Sequence, residues 1–578
     1  MRDATTPDSL TLTVGGMTCA GCARHVTEAL DALPGVASAD VPGWESGRAE
    51  VTLATDAPSS PADLVAAVEA VGYRATVPGA PPEVSNTPTG DGATSAFQLD
   101  APESLPADAY DLVVIGGGSA AFAAAIKTSE LGGRTAIVND GLPIGGTCVN
   151  VGCVPSKATI RAAEAVHRAQ RIAFDGVETT GRVADFGAVL AQVRALVADL
   201  RQAKYVDVVA DDDAIDLVAG RARLAGREGG LRAVEVADGT TLRARSVLIA
   251  TGARTFVPDI PGLIDAGYLT NESVWDLEEA PSRLVVLGGG YVAVESAQAF
   301  ARLGVPVTLL QRSARVLPHE DAALTDALEG FLCADGVTVR TGVATRAVRR
   351  DGDTVVVEIE ADGRTETVRG SHLLLATGRR GNTDSLGLET LGVTPDARGF
   401  LPVDTTLRTA AEGVFGAGDV LGDEMFVYTA AYEGALAARN AREGLWAEAD
   451  YTALPWVVFT DPQFAGVGLD LTQAEAAGID AEATTLAMEH VPRAIAARDT
   501  RGSVTLVRDR ETDRLVGARV LAPEGSELLM EAALAIRYGI TTRQLADAFH
   551  PYLTLSEAVK LAAITFRKDV GQLSCCAA

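Results

Sequence analysis

Long apolar segments are missing from this chain. Apolar stretches such as 112–115 and 284–287 end in glycines, and they are far shorter than the roughly 18 residues that cross a bilayer as a helix. The opening segment, MRDATTPDSL, contains neither the basic stretch nor the apolar core of an export signal. We therefore expect a protein without membrane spans that resides in the cytoplasm.

Lysine is scarce as well. It occurs only at positions 127, 157, 204, 560 and 568, and the net charge is −28. This composition argues against a nucleic-acid partner, because such proteins present basic surfaces. An acidic, lysine-poor surface suits a salt-rich cytoplasm, where ions screen its self-repulsion. GC-rich codon usage favours arginine equally, so the host stays open.

Cysteine is too rare for a secreted disulfide framework, with seven in 578 residues. Six of them form three close pairs: Cys19 with Cys22, Cys148 with Cys153, and Cys575 with Cys576. Pairs at short range indicate metal binding or redox chemistry. The seventh, Cys333, has no cysteine nearby, and its apolar helical context predicts a buried structural thiol.

The pattern of strands and helices predicts several domains. Residues 9–77 have the order strand, helix, strand, strand, helix, strand, which is a small ferredoxin-like βαββαβ domain. Residues 78–107 are rich in Pro, Gly, Ser and Thr and predict a flexible linker. The remainder predicts doubly wound α/β units followed by an α+β domain. The expected boundaries are 108–262 and 263–378 for two dinucleotide-binding domains, 379–450 for a central region and 451–578 for the last domain.

Two glycine-rich turns open alike, DLVVIGGGSAA with Gly116 and Gly118 and RLVVLGGGYVA with Gly288 and Gly290. Each stands between a predicted strand and a predicted helix. Glycine lets the backbone approach a pyrophosphate, which the free N–H groups of the helix then bind. One such turn is a weak signal, but two in one chain predict two dinucleotides.

The residue that follows the second strand of each unit bears on which nucleotide binds. The first unit has Asn139, which can hydrogen-bond a ribose hydroxyl in place of the usual acid. The second unit has Gln311, Arg312 and Arg315, and no carboxylate that would repel a 2′-phosphate. NADPH is therefore favoured over NADH, with a solvated basic turn as the alternative.

Between the two glycine turns lies GGTCVNVGCVPSK, which contains Cys148 and Cys153. If a helix begins here, its N-terminus lowers a thiol pKa and favours the thiolate. The pair therefore predicts a redox dithiol. A structural zinc pair is the alternative, but no second Cys or His pair lies nearby.

This segment, together with ATGAR, LATGR and VFGAGDV, resembles the flavin disulfide reductases, a family that includes glutathione reductase, dihydrolipoamide dehydrogenase and mercuric reductase. The resemblance covers residues 108–578. It implies that Asp419 holds the ribityl chain of FAD, and that Lys157 and Glu295 pair beside the flavin. It implies these FAD contacts: Ala121, Gly141, Thr147, Lys157, Ala222, Asp419 and Val427.

The last part of the chain is similar to one branch of that family, the mercuric reductases, in FVYTAAYEG, HVPRAIAARDTRG and the ending QLSCCAA. The resemblance implies that Tyr205 and Tyr552 line a metal site. It also implies a homodimer in which Cys575 and Cys576 pass Hg(II) to the dithiol of the other subunit. A tail with two thiols suits an ion that prefers two thiolate ligands.

HPYLTLSEA departs from both patterns. The glutathione and lipoamide enzymes of the family carry a His-Pro…Glu segment whose histidine is the acid/base that protonates a leaving thiol. Here His550 and Glu557 are present, but Tyr-Leu is inserted after His-Pro. The mercuric branch usually has an apolar residue at the histidine position. A dithiol substrate therefore stays open.

The segment GMTCAGC near the start of the chain contains Cys19 and Cys22. It resembles the heavy-metal-associated domain, over residues 9–77, and implies a linear soft-metal site. A thioredoxin-like redox pair is the alternative, although no thioredoxin-type pattern surrounds it.

The resemblance as a whole implies that NADPH reduces FAD, that FAD reduces the Cys148–Cys153 pair, and that the reduced enzyme converts thiol-bound Hg(II) to elemental mercury. Two alternatives stay open. One is a thiol-disulfide reductase that uses His550. The other is a soft-metal binding or delivery protein whose nucleotide folds are degenerate, which the intact glycines and redox cysteines argue against.

Overall fold

The computed structural model describes residues 9–15, 20–41, 48–54, 60–70, 74–76, 105–444 and 446–572. The chain divides into two compact units, 1–97 and 98–578. The predictions for Cys19, for the tail cysteines Cys575 and Cys576, and for most of the 78–107 linker lie outside the described residues.

The first unit is the small βαββαβ domain that the sequence predicts. Its elements are β1 (Ser9–Gly15), α1 (Ala20–Asp31), β2 (Val36–Asp40), β3 (Arg48–Leu53), α2 (Pro61–Ala70) and β4 (Arg74–Thr76). The sheet order is β2-β3-β1-β4, and β1 is antiparallel to both neighbours. Leu12, Val26, Val51 and Leu64 are fully buried between sheet and helices. Cys22 belongs to the first turn of α1.

The second unit contains the remaining elements. Its strands are β5 (Tyr110–Ile115), β6 (Thr135–Asn139), β7 (Ile215–Ala219), β8 (Ala222–Glu228), β9 (Leu231–Val236), β10 (Thr241–Ile249), β11 (Ala253–Thr255), β12 (Leu284–Leu287), β13 (Val307–Leu310), β14 (Val337–Arg340), β15 (Ala344–Asp351), β16 (Thr354–Ala361), β17 (Arg364–Gly370), β18 (His372–Leu375), β19 (Arg379–Gly381), β20 (Val414–Gly416), β21 (Pro455–Val458), β22 (Gln463–Gly468), β23 (Ala481–Ala487), β24 (Ser503–Asp509) and β25 (Leu515–Ala522). Its α-helices are α3 (Ser119–Glu130), α4 (Gly146–Asn150), α5 (Cys153–Gln170), α6 (Phe186–Arg201), α7 (Asp207–Ala210), α8 (Leu263–Ala266), α9 (Tyr291–Arg302), α10 (Ala322–Ala334), α11 (Val427–Glu443), α12 (Leu471–Ala476), α13 (Pro492–Ala497), α14 (Gly525–Arg537), α15 (Thr542–Asp547) and α16 (Glu557–Thr565).

Two sheets form the centre of this unit. The larger has the order β7-β6-β5-β10-β9-β8, with β20 added beside β10. Its strands β7, β6, β5, β10 and β20 are parallel, whereas β9 is antiparallel to both β10 and β8. The smaller is β14-β13-β12-β18, all parallel. Strands β5 and β12 are nearly continuous runs of buried Val, Leu and Ile, as expected where helices cover both faces of a parallel sheet. The sequence prediction of two doubly wound domains is therefore correct.

The last part of the chain is an α+β domain, also as predicted. Five antiparallel strands have the order β21-β22-β25-β24-β23, and α14 and α16 pack against one face. No helix in the described ranges is long and apolar enough to cross a membrane.

One prediction about the core is wrong: Cys333 is exposed. The buried face of α10 is formed by Leu324, Leu328 and Leu332, which recur every four residues. Because successive residues of a helix are about 100° apart, Cys333 lies beside that apolar stripe and faces solvent.

Candidate active site

The first glycine of each glycine-rich turn is required by a close approach of two backbone segments. Gly116 has φ +119° and Gly288 has φ +124°. A Cβ on Gly116 would lie 2.2 Å from the carbonyl oxygen of Ala250, and one on Gly288 would lie 2.1 Å from that of Ala376. These alanines belong to the two ATG segments, so each turn packs in the same way against the end of a neighbouring parallel strand.

The other two glycines of each turn complete the same arrangement. A Cβ on the middle glycine would meet Asn139 in the first domain, at 2.5 Å, and Gln311 in the second, at 2.8 Å. The third glycines, Gly118 and Gly290, cap α3 and α9; a Cβ on Gly118 would meet only the Cα of Gly146, at 3.8 Å, and one on Gly290 would meet nothing within 4 Å. Both turns therefore leave helix N–H groups accessible to an anion.

A cavity of about 480 Å³ opens beside the first turn and extends between α5, α9 and the segment after β20. Most residues that line it are apolar or glycine. Eight residues that the sequence analysis singled out are among them: Gly118, Thr147, Cys148, Cys153, Lys157, Glu295, Asp419 and Val427.

The two cysteines occupy one wall of the cavity. Cys148 lies in α4 and is half-buried, whereas Cys153 is the first residue of α5 and is exposed. The turn between them is held by the carbonyl of Val151, which accepts a hydrogen bond from the indole N–H of Trp275 at 3.1 Å. A hydrogen bond from Cys148 lowers the pKa of Cys153 to about 7, and the nearby Lys157 ammonium acts in the same direction. The same contact raises the pKa of Cys148.

The depressed pKa of Cys153 predicts the pH dependence of its alkylation. In the reduced protein the rate with iodoacetamide should rise with a midpoint near pH 7, because the thiolate is the nucleophile. Mass spectrometry of the Cys153 peptide measures this rate separately from other thiols. Replacing Cys148 with alanine should move the midpoint upward, toward the ordinary value of about 8.5. A midpoint already at that value in the unmodified protein would contradict the geometry.

An ion pair crosses the cavity next to the cysteines. The ammonium of Lys157, one turn into α5, lies 2.7 Å from the carboxylate of Glu295 in α9. The other Glu295 oxygen accepts the backbone N–H of Phe459 at 2.8 Å, and the Lys157 ammonium lies 4.5 Å from the Phe459 ring centre. The expected Lys157–Glu295 pair is therefore present; its place beside a flavin stays a prediction.

Asp419 also lines the cavity. It follows Gly418 at the end of β20 and lies 3.4 Å from the guanidinium of Arg379. Burial raises the pKa of Asp419, and Arg379 opposes that effect. Arg379 was not predicted as a site residue, although it ends the LATGR segment and lines the same cavity.

The remaining nucleotide candidates do not line the cavity. Ala121 is fully buried beneath it in α3. Asn139 ends β6, and its backbone carbonyl accepts the N–H of Gly220, which places Gly141 and Ala222 near the same strand ends. Gly116, Gly288, Gly290, Arg312 and Arg315 are also not among the residues that line the cavity.

Tyr205 lies behind the glycine turn and the redox segment. It belongs to a π-helical turn, Gln202–Val206, that continues α6, and such turns are frequent at functional sites. Its hydroxyl is 3.0 Å from the hydroxyl of Ser119, and its ring packs edge-on against Phe122. Burial raises the pKa of Tyr205, so it is a neutral phenol near Cys148.

His550, Tyr552 and Glu557 lie on the C-terminal domain. His550 Nε2 is 2.6 Å from the carboxylate of Glu531 in α14, and its side chain is 6% exposed. Glu557 begins α16 and accepts the N–H of Leu553. The histidine therefore pairs with Glu531, a contact that no sequence spacing indicated. Tyr552 is half-exposed.

An aromatic group at the cavity was also not predicted. Phe426 stacks on Tyr428 with ring centres 5.3 Å apart, and Tyr291 lies 6.5 Å from Phe426 and 6.0 Å from Trp456. The sequence does contain a signal for this group, because Phe426 and Tyr428 belong to the segment FVYTAAYEG and Tyr291 directly follows the second glycine turn. Periodicity alone does not distinguish such side chains from core aromatics.

The site fits one flavin dinucleotide and one further dinucleotide. In each glycine-rich turn a Cβ on the first glycine would clash with the end of the neighbouring strand, and the third glycine leaves room in front of the helix N–H groups for a phosphate. The cavity is apolar enough for an isoalloxazine ring, and the partly buried carboxylate of Asp419 could accept a hydrogen bond from a ribityl hydroxyl, whereas the Glu295 carboxylate is paired with Lys157. Within the described ranges, no group of three or more His, Cys, Asp or Glu side chains is arranged to hold a metal ion.

Comparisons with known proteins agree with this geometry. The family model for the pyridine nucleotide-disulphide oxidoreductases matches residues 110–434, its dimerisation domain matches 454–563, and the heavy-metal-associated domain matches 11–74. The mercuric reductase of Shigella flexneri is 43% identical over 98% of this chain and its own full length. That of Streptomyces lividans is 46% identical over 81% of this chain and 98% of its own.

Among solved structures, LpdA from Mycobacterium tuberculosis covers 79% of this chain and all of its own, with a TM-score of 0.69 and 31% identity. The family match therefore spans more than half of the chain and is supported by relatives of full length. The chain belongs to the pyridine nucleotide-disulphide oxidoreductases, and within that family it is a relative of the mercuric reductases.

Proposed function

We propose that this protein reduces Hg(II) to elemental mercury with NADPH, through FAD and the Cys148–Cys153 pair, and so serves in mercury resistance. The observation that carries the proposal is one cavity that contains the Lys157–Glu295 ion pair and two cysteines whose pKa values are shifted in opposite directions. The similarity to mercuric reductases over nearly the whole chain supports the choice of substrate.

The two glycine-rich turns, at Gly116 and at Gly288, support the assignment of one cofactor to each. FAD would occupy the first, with its pyrophosphate at Gly116 and Gly118 and its ribityl chain at Asp419; it supplies two electrons that it received as hydride. NADPH would occupy the second, where Arg312 and Arg315 suit a 2′-phosphate and Gln311 stands in place of an acid. The remaining FAD contacts that we propose are Ala121, Asn139, Gly141, Thr147, Lys157, Ala222 and Val427.

The chain's own residues would bind and orient the metal. Thiolates bind Hg(II) far more tightly than oxygen or nitrogen donors do, and the low pKa of Cys153 supplies one near neutral pH. With Hg(II) held by Cys148 and Cys153, two electrons pass to the metal and both Hg–S bonds break. Elemental mercury leaves, and two thiolates remain. The ammonium of Lys157 would stabilise the negative charge on Cys153.

Delivery of the metal would use the other thiols. Cys19 and Cys22 would collect soft ions in the first domain, and Cys575 and Cys576 would carry them to the dithiol of the other subunit. Tyr205 and Tyr552 would line the route. The matched dimerisation domain supports a homodimer, and we place the enzyme in the cytoplasm, where NADPH is available.

A thiol-disulfide reductase is the second candidate, and the 2.6 Å contact between His550 and Glu531 favours it, because a carboxylate orients an acid/base histidine. Against it, the side chain of His550 is almost fully buried against α14, as a structural residue would be.

One assay separates the two candidates. NADPH oxidation by the purified, FAD-loaded protein should require Hg(II) in the presence of excess small thiol, and oxidised lipoamide or glutathione disulfide should not replace the metal. Elemental mercury in the gas phase, measured by atomic absorption, confirms the product. Turnover with a disulfide and none with Hg(II) would reject the proposal and give His550 the catalytic role.

A further inference from the structure

Glu433 is a buried carboxyl group directly behind the wall of the cavity. It lies in α11 and is 4% exposed. Its Oε2 accepts a hydrogen bond from the backbone N–H of Gly418 at 2.6 Å. Its Oε1 accepts one from the hydroxyl of Tyr451 at 2.7 Å. Both oxygens are therefore used, although the residue touches nothing inside the cavity itself.

The N–H group that Glu433 binds belongs to the residue before Asp419. Gly418 lines the cavity and has φ +80°. A Cβ at this position would lie 3.3 Å from the side chains of Ala120 and Ala430, so the turn is packed tightly on one side. The hydrogen bond from the Gly418 N–H to Glu433 holds the other side of the turn. The peptide that Glu433 binds joins Ala417 to Gly418, directly before Asp419, so holding it restricts where the carboxylate of Asp419 can point.

We propose that Glu433 is a positioning residue for the flavin: through the Gly418 N–H it orients the Asp419 carboxylate toward the ribityl chain, and its ionisation makes flavin retention depend on pH. The inference rests on the proposed function, since it requires FAD in this cavity.

The surroundings of Glu433 favour a change in its protonation near neutral pH. Burial raises the pKa of Glu433 to about 7; the carboxylates of Asp419 and Asp423 act in the same direction, and the hydrogen bonds from Gly418 and Tyr451 act against it. Burial, the hydrogen bond to Glu433 and the nearby Tyr432 raise the pKa of Tyr451, which therefore remains a donor. Arg379 is the cation that faces Asp419. When Glu433 gains a proton, its repulsion of Asp419 disappears.

The sign of the pH effect follows from linkage. A carboxyl group whose pKa is raised in the folded protein stabilises the fold most below its ordinary value of about 4.3. That contribution is lost as the pH rises through about 7. The temperature at which heated holoenzyme releases its fluorescent flavin should therefore fall as the pH rises from about 4.3 to about 7, and it should level off above that pH.

Three variants test the proposal. Glu433→Gln can still accept the Gly418 N–H and face Tyr451, but it cannot ionise. Glu433→Ala leaves the Gly418 N–H without an acceptor. Glu164→Gln is the matched control, because Glu164 is 5% exposed and pairs with Arg161 away from Asp419. FAD dissociation constants of the apoproteins and the flavin release temperatures across pH are measured for each.

Glu433→Ala should weaken FAD binding by about tenfold or more, which corresponds to about 1.4 kcal/mol, because the Gly418 N–H loses its acceptor and no longer holds Asp419 in place. Glu433→Gln should bind FAD within about threefold of the wild type and lose the fall in release temperature. If the alanine variant does not fold, the glutamine profile decides alone. An unchanged profile in Glu433→Gln, or a matching effect in Glu164→Gln, would overturn the inference. Wild-type protein that takes up no FAD would overturn the proposed function and the inference together.

Discussion

Replacing Cys148 with serine should reduce Hg(II)-dependent NADPH oxidation by more than about a thousandfold, the scale on which loss of a catalytic nucleophile acts. Serine is similar in size, so the fold of α4 should persist. Its hydroxyl is a poor ligand for a soft ion, and it forms no disulfide with Cys153. Steady-state rates with Hg(II) and excess thiol measure the loss.

Cys333→Ser is the matched control. This variant makes the same chemical change at an exposed thiol in α10 that does not line the cavity. It should keep the wild-type rate within about twofold, as surface substitutions do. Full activity in Cys148→Ser would remove the dithiol from the mechanism. An equal loss in both variants would mean that the assay reports on thiol number and not on the site.

The two glycine turns show what the sequence could predict. DLVVIGGG and RLVVLGGG each predicted a buried parallel strand followed by a phosphate-binding helix. The structure has both strands and both helices, and their binding of phosphate stays a prediction. The prediction succeeded because local rules suffice: the strand is apolar on both faces, and only glycine tolerates the approach of Ala250 or Ala376. The redox segment could also be predicted from local sequence, because α5 begins at Cys153 and so places this cysteine at a helix N-terminus.

Contacts between distant segments were missed. Glu433 and Gly418 are brought together by the packing of α11 against the end of β20, and no spacing in the sequence indicates that contact. The same holds for His550, which pairs with Glu531 and not with the Glu557 that follows it in the chain. The prediction for Cys333 was wrong for another reason. Its apolar neighbours in the sequence predicted burial, but burial depends on which side of α10 packs against the core, and Cys333 lies beside that side.

A larger long-range cluster joins α9 to the C-terminal domain. Along one face of α9, Glu295 accepts the N–H of Phe459, Gln298 accepts the N–H of Asp461, and Arg302 binds the Asp461 carboxylate at 2.8 Å. These α9 residues follow each other at intervals of three and four, so they share one side of the helix. The segment Phe459–Asp461 is therefore held at three points, and the first of them belongs to the residue that pairs with Lys157 at the cavity.

Arg302→Leu should lower the free energy of unfolding by about 3–5 kcal/mol, the cost of leaving buried charges without their partner. The guanidinium is 2% exposed and also lies 2.8 Å from Asp335, which is itself 3% exposed. Arg346→Leu is the control, because its pair with Glu360 is about half-exposed and should contribute under about 1 kcal/mol. Urea midpoints followed by circular dichroism and by flavin fluorescence measure both variants. Equal urea midpoints for the two variants would show that solvent reaches the Arg302 cluster. If, in Arg302→Leu alone, the flavin signal is lost at a lower urea concentration than the circular dichroism signal, the cluster holds Glu295 at the active site.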